Sequence, residues 1–126
     1  MKYVLVKTDS SVEIVEISTK EFLKKAYELI NCSLIEIATP NYGRSPFRLV
    51  LDEEGKFNGQ KFNKLAIIFF NTPDMLFGNV LIGTAGYNEY GEYNLIGLDE
   101  NTANELVSSL EFVKSLIDKG VYVQII

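Results

Sequence analysis

The sequence contains no histidine and only one cysteine, Cys32, in 126 residues. Without histidine the commonest general base is missing, and with it every triad that depends on an imidazole. One cysteine forms no disulfide within the chain, and with no histidine to join it no tetrahedral zinc set can be completed. Cys32 follows an apolar stretch and reads as a small buried hydrophobe, not a nucleophile. Unpaired cysteine also fits a reducing compartment. No window reaches the ~18 consecutive apolar residues of a membrane span. The apolar start YVLV, residues 3–6, is too short for a signal-peptide core. These features read as a cytoplasmic chain with no membrane partner.

Phosphate-binding and nucleophile motifs are missing too. There is no Walker A loop, no G-x-G-x-x-G and no nucleophile elbow. Gly78, Gly83 and Gly86 are spaced wrongly to cradle a phosphate and read as strand-end or bulge positions. The acids Asp52, Glu53 and Glu54 lack the further oxygen ligands a hard cation needs, so they read as water-exposed turn residues. Neither a metal nor a cofactor is expected, and the chain does not read as an enzyme.

Basic residues are scarce over a long region. No Lys or Arg occurs between Lys64 and Lys114, whereas Asp74, Glu89, Glu92, Asp99, Glu100, Glu105 and Glu111 fall inside it. With a net charge of −5, such a surface repels a phosphate backbone and disfavours direct nucleic-acid binding. It suits a basic protein surface; the plainer reading is a solvated face that aids solubility.

What is present is an ordinary globular composition. Apolar residues make up 47% and charged residues 23%, enough for one domain over residues 1–126 with a real core. No repeat, low-complexity tract or linker divides it.

Residues 79–98, an apolar run on either side of a Gly- and Tyr-rich connection, predict the central hairpin of an antiparallel sheet. Residues 3–6 and 12–17 predict an N-terminal hairpin. Ser18 with Glu21 makes a capping-box start, and Phe22, Leu23, Ala26, Leu29 and Ile30 recur at helical spacing to a stop near Asn31. Strands follow at 33–38 and 47–51, the second closed by a turn in which Gly55 supplies positive φ. Residues 60–70 carry helical spacing, although 67–70 read equally well as a strand. Asp99 begins a second long helix whose apolar stripe runs from Ala103 through Leu106 and Leu110 to Ile117, with Gly120 as its stop. Residues 121–126, VYVQII, predict an edge strand through which two copies could pair. The fold class is α+β, a mostly antiparallel sheet with about two helices packed on one face.

The order of several segments resembles an uncharacterised family of small proteins. These are YVLV at 3–6, VEIVEI at 12–17, Ile35-Glu36, LVLDEEGK at 49–56, Asn63-Lys64, GNVLIGTA at 78–85 and GLDE at 97–100. The family is the Domain of Unknown Function family numbered three-eight-four-six, met in phages, plasmids and bacteria. It often has Arg where Lys64 stands. The resemblance implies no activity; it implies a mobile-element setting in which accessory and counter-defence roles are common.

Two constellations remain as binding candidates. The loop 39–46 with its flanks holds Tyr42, Arg44 and Arg48, the only arginines in the chain, and Lys61 and Lys64 lie further along. Together they could clamp an anion or stack on a base, as in a nucleotide-sequestering protein; the plain alternative is a surface loop whose arginines pair with acids. The second is YNEYGEY at 87–93, where Tyr87, Glu89, Tyr90, Glu92 and Tyr93 resemble an interface epitope, or else cross-strand tyrosines covering a hairpin. The expected function is a non-enzymatic protein-binding accessory module, with a host or phage protein as partner and an inhibitory, counter-defence role. A small-ligand binder is the alternative, and an acidic mimic of nucleic acid a further one. The helical stripe carries a direct prediction: Leu106→Asp places an unpaired charge in the core and costs roughly 3 kcal/mol or more, read as a large fall in the urea midpoint. A variant that melts like the parent would remove Leu106 from the core.

Overall fold

The computed structural model describes residues 1–40, 45–72 and 75–120. Among these residues six strands form one sheet: β1 (Lys2–Val6), β2 (Val12–Glu16), β3 (Ile35–Ala38), β4 (Phe47–Asp52), β5 (Val80–Tyr87) and β6 (Tyr93–Ile96). Three α-helices accompany it: α1 (Phe22–Ile30), α2 (Lys64–Phe70) and α3 (Glu100–Asp118). The strand order is β2-β1-β5-β4-β3, with β6 also pairing β5, and every pairing is antiparallel. β5 is the central strand. It pairs β4 along one edge, while the other edge is shared, with Val80–Ile82 facing β1 and Thr84–Tyr87 facing β6.

The expected α+β fold with a mostly antiparallel sheet is the one that forms, although α1 and α3, the two long helices read from the sequence, do not share a face. Strand alternation explains the layering, because successive side chains point to opposite faces. Val4 and Val6 join Leu49, Leu51, Val80 and Ile82 on one face, where α2 adds Leu65, Ile67 and Phe70 and α3 adds Ala103, Leu106 and Leu110. Tyr3 and Leu5 join Val50 and Leu81 on the other, where α1 adds Ala26 and Ile30. The two helices that share a face are thus α2 and α3, and α1 covers the reverse side. Leu106 is only 3% exposed.

Local rules set most boundaries. Ser18 Oγ accepts from Glu21 N at 3.3 Å and starts a 3-10 turn, Thr19–Glu21, that leads into α1. α1 stops at Asn31, which takes the left-handed conformation at φ 60°, one of the few states Asn tolerates better than most residues. Asp99 caps α3 by accepting from Thr102 N at 2.8 Å. The ambiguous segment 60–70 resolves as helix from Lys64 onwards, the part before it being held out by a bridge between Phe62 and Phe77. Gly55 departs from expectation: its φ is not positive, and glycine is required because a Cβ there would lie 2.8 Å from the carbonyl oxygen of Phe77. Gly83 and Gly86 lie inside β5 and not at its end. Gly83 sits where the strand's neighbour changes from β1 to β6, and a Cβ there would come within 2.7 Å of the Ile96 carbonyl oxygen. The expected strand at 121–126 lies outside the described residues.

Asn63 ties these pieces together. It is fully buried, and burying an amide costs stability unless its bonds are made. Its Oδ1 accepts from Ala66 N at 3.2 Å, capping α2, while its Nδ2 donates to the carbonyls of Val6 at 2.9 Å and Gly78 at 3.0 Å. One side chain therefore fixes α2 against the end of β1 and the start of β5. Asn79 does similar work on the other face, accepting from Thr8 N at 3.1 Å and donating to the Leu29 carbonyl at 3.0 Å. Asn63→Ala removes a cap and two buried donors, so the expected loss is about 2–4 kcal/mol, measured by urea unfolding; a loss below ~1 kcal/mol would mean that water replaces the amide.

Candidate functional site

The hairpin formed by β5 and β6 projects an ordered aromatic tip. Its connection is closed by Asn88 N donating to the Glu92 carbonyl at 2.8 Å and Gly91 N to the Asn88 carbonyl at 3.0 Å. The Asn88 side chain adds an Asx turn, its Oδ1 accepting from Tyr90 N at 2.9 Å and Glu92 N at 3.0 Å. Gly91 takes φ +78°, which a side chain would strain. Tyr87 and Tyr93 are paired across the strands, their rings edge to face with centroids 5.3 Å apart. The cross-strand pairing read from the sequence is therefore present. The tyrosines do form a cross-strand pair, yet Tyr87, Tyr90 and Tyr93 remain 73%, 74% and 63% exposed. Glu89 and Glu92 are exposed among them and make no ion pair among the described residues.

Behind the tip lies a concavity that the sequence did not disclose. Tyr93 and Leu95 alternate onto one face of β6, and Leu95 packs against the cluster beneath α1. α1 is only nine residues long and does not reach across this end of the sheet. A cavity of 340 Å³ remains, lined by Tyr3, Phe22, Leu23, Ile35, Ile37 and Leu95 with a polar wall that includes Thr19, Lys20, Asn88 and Asn94. Burial pushes the Tyr3 phenol up to about 12, so it stays neutral. No local signal in the chain marks this hollow, because its walls come from four separate segments. A second hollow of 530 Å³ opens on the α3 side; its one carboxylate among the described residues, Asp99, is committed to capping through Thr102 N and Oγ1, both at 2.8 Å.

The basic candidates are distributed differently. Tyr42 and Arg44 lie outside the described residues. Arg48 is half-buried and folds onto its own loop, its Nη1 donating to the carbonyls of Ser45 and Phe47 at 2.9 Å each. It stands opposite Gly83 in the sheet. Lys61 and Lys64 flank Asn63, which is bonded to Gly78 at the other end of β5. Five residues of strand, about 16 Å, separate those levels. The structure therefore does not gather Arg48 with Lys61 and Lys64.

The acids at 52–54 also differ from expectation in one member. Glu53 and Glu54 are exposed, but Asp52 is buried. Its Oδ1 accepts from Glu54 N at 2.9 Å and its Oδ2 from Asn58 Nδ2 and Gln60 Nε2, both at 3.0 Å. Desolvation alone would raise this carboxyl, but the three hydrogen bonds together outweigh it and hold Asp52 below its ordinary value. Asp52 is a lock for the turn, and the partners that mark it, Asn58 and Gln60, follow within eight residues. Among the described residues no three acids or thiols gather as a metal set. Cys32 is half-buried, and desolvation first, then the Asp52 charge, push its thiol up. Little thiolate forms near neutrality, so alkylation of Cys32 by iodoacetamide at mildly alkaline pH is expected several-fold slower than that of free cysteine; a rate equal to the free thiol would contradict this environment.

Among the described residues no helix is long and apolar enough to cross a membrane. Neither a search of curated proteins nor a search of solved structures finds a match. A family profile does match, over residues 1–110, which takes in the whole sheet, α1, α2 and the hairpin tip. The chain accordingly belongs to the family described as Domain of unknown function (DUF3846).

Proposed function

We propose that this protein is a non-enzymatic protein-binding module that engages its partner through the tip of the β5–β6 hairpin. The observation that carries this reading is the combination of exposure and order at Tyr87, Tyr90 and Tyr93. Large aromatic side chains left in water on a single turn are unfavourable for a free monomer unless they contact something. Here the turn that presents them is already held by five hydrogen bonds centred on Asn88. A prearranged tyrosine surface loses little conformational entropy on binding. Glu89 and Glu92, free of ion pairs among the described residues, favour a partner with a basic surface, encoded by a host or a phage. Within a mobile element the same contact would serve an accessory inhibitor acting in counter-defence.

The test uses exposed residues, so folding is not at stake. The double variant Glu89→Lys/Tyr90→Ala is expected to melt like the parent and to lose at least ~2 kcal/mol of binding to a captured protein partner, measured by surface plasmon resonance across a salt series. If every partner retained by the parent binds the double variant equally well, the hairpin tip is not the contact surface.

A further inference from the structure

The 340 Å³ cavity between α1 and β6 is not needed for the hairpin tip to bind a protein, and its chemistry points elsewhere. Its volume lies at the small end of the ~300–1,000 Å³ range of ligand pockets. The lining is largely apolar, with Tyr3 buried, Phe22 and Leu95 half-buried, and Leu23 and Ile37 exposed. Among the described residues no carboxylate lines it, although the chain carries 17 acids against 12 bases. Of its two cationic groups, the Met1 ammonium is held by Glu16 Oε1 at 2.7 Å. The other, Lys20, makes no ion pair among the described residues. Asn94 accepts from Leu95 N through Oδ1 at 2.8 Å, and its Nδ2 has no partner among the described residues. In an acidic protein, this is a hollow with an apolar body, one uncommitted cation and one uncommitted amide donor. A neutral apolar molecule would leave both donors unused, and a cation would meet Lys20.

We propose that this cavity is a binding site for a compact apolar monocarboxylate. The hydrocarbon part lies against Phe22, Leu23 and Leu95, and the carboxylate accepts from Lys20 Nζ and Asn94 Nδ2. A carboxylate is selected over an alcohol because a charge-assisted hydrogen bond is roughly twice as strong as a neutral one. It is selected over an amine because no acid among the described residues lines the wall.

The experiment titrates the full chain with sodium octanoate, octan-1-ol and octylammonium chloride at low ionic strength, following backbone amide shifts by NMR. Octanoate is expected to saturate in the millimolar range or below, with shifts centred on Lys20, Phe22 and Leu95. Lys20→Met, at an exposed position, is expected to melt like the parent and to weaken octanoate by about tenfold while leaving octanol unchanged. Leu23→Trp, at a site 56% exposed, narrows the cavity and is expected to weaken octanoate and octanol alike. The proposal is overturned if octanoate gives no saturable shifts, if octanol or octylammonium binds as tightly, if Lys20→Met binds octanoate like the parent, or if the shifted amides lie away from the cavity. None of these outcomes bears on partner binding at Glu89 and Tyr90, so the two readings stand or fall separately.

Discussion

The register of β5 is the constraint on which the rest of this protein depends. Leu81 pairs with Leu5 on one side and Val50 on the other, while Ile82 pairs with Val4 and Leu49. Because the side-chain period of a strand is two, a one-residue slip would exchange the residues committed to opposite faces. Both faces of this sheet are apolar at its centre, so a slip would not expose the strand. It would instead set Leu81 against α2 and α3 and Ile82 against α1, in cores shaped for the other residue. Asn63 and Asn79 guard against that outcome. Asn63 donates from the α2 side to the Gly78 carbonyl just before β5, and Asn79, the residue before β5, accepts from Thr8 N and donates to the Leu29 carbonyl of α1.

The division of labour along β5 follows from that register. Its first half lies between β1 and β4 and is covered by helices on both faces, as a central strand must be. Its second half exchanges β1 for β6 and runs out beyond the reach of α1. There the apolar pattern gives way to Gly83, Gly86 and tyrosine, and the surface becomes concave and partly polar. The stable end of the strand holds the fold, and the open end holds both the hairpin tip and the cavity behind it. Rigid framework presenting an exposed turn is the usual way in which binding surfaces are built.

Much of this could be read from the chain. The helix starts at Ser18 and Asp99, the stop at Asn31 and the hairpin 79–98 all rest on capping and alternation, which act within a few residues. The segment 60–70 was ambiguous because its apolar run fits either period, and the cap that decides it, Asn63, is also needed by Val6 and Gly78. Asp52 looked like one of three turn acids, since sequence shows its charge but not the Asn58 and Gln60 donors that close around it. Arg48 read as an anion contact or as a loop arginine paired with acids, but its guanidinium donates to the carbonyls of Ser45 and Phe47.

The amino-acid sequence by itself determined the α+β class, the positions of most of the described elements, the lack of histidine and the tyrosine-acid turn at 87–93. Those properties depend on composition or on contacts between near neighbours in the chain. Tertiary structure alone decided that α1 and α3 lie on opposite faces, that Arg48 stands apart from Lys61 and Lys64, and that Lys20 and Asn94 line one cavity. Each of these relates residues more than ten positions apart, and such relations are set by strand order and register, which local patterns of hydrophobicity do not encode.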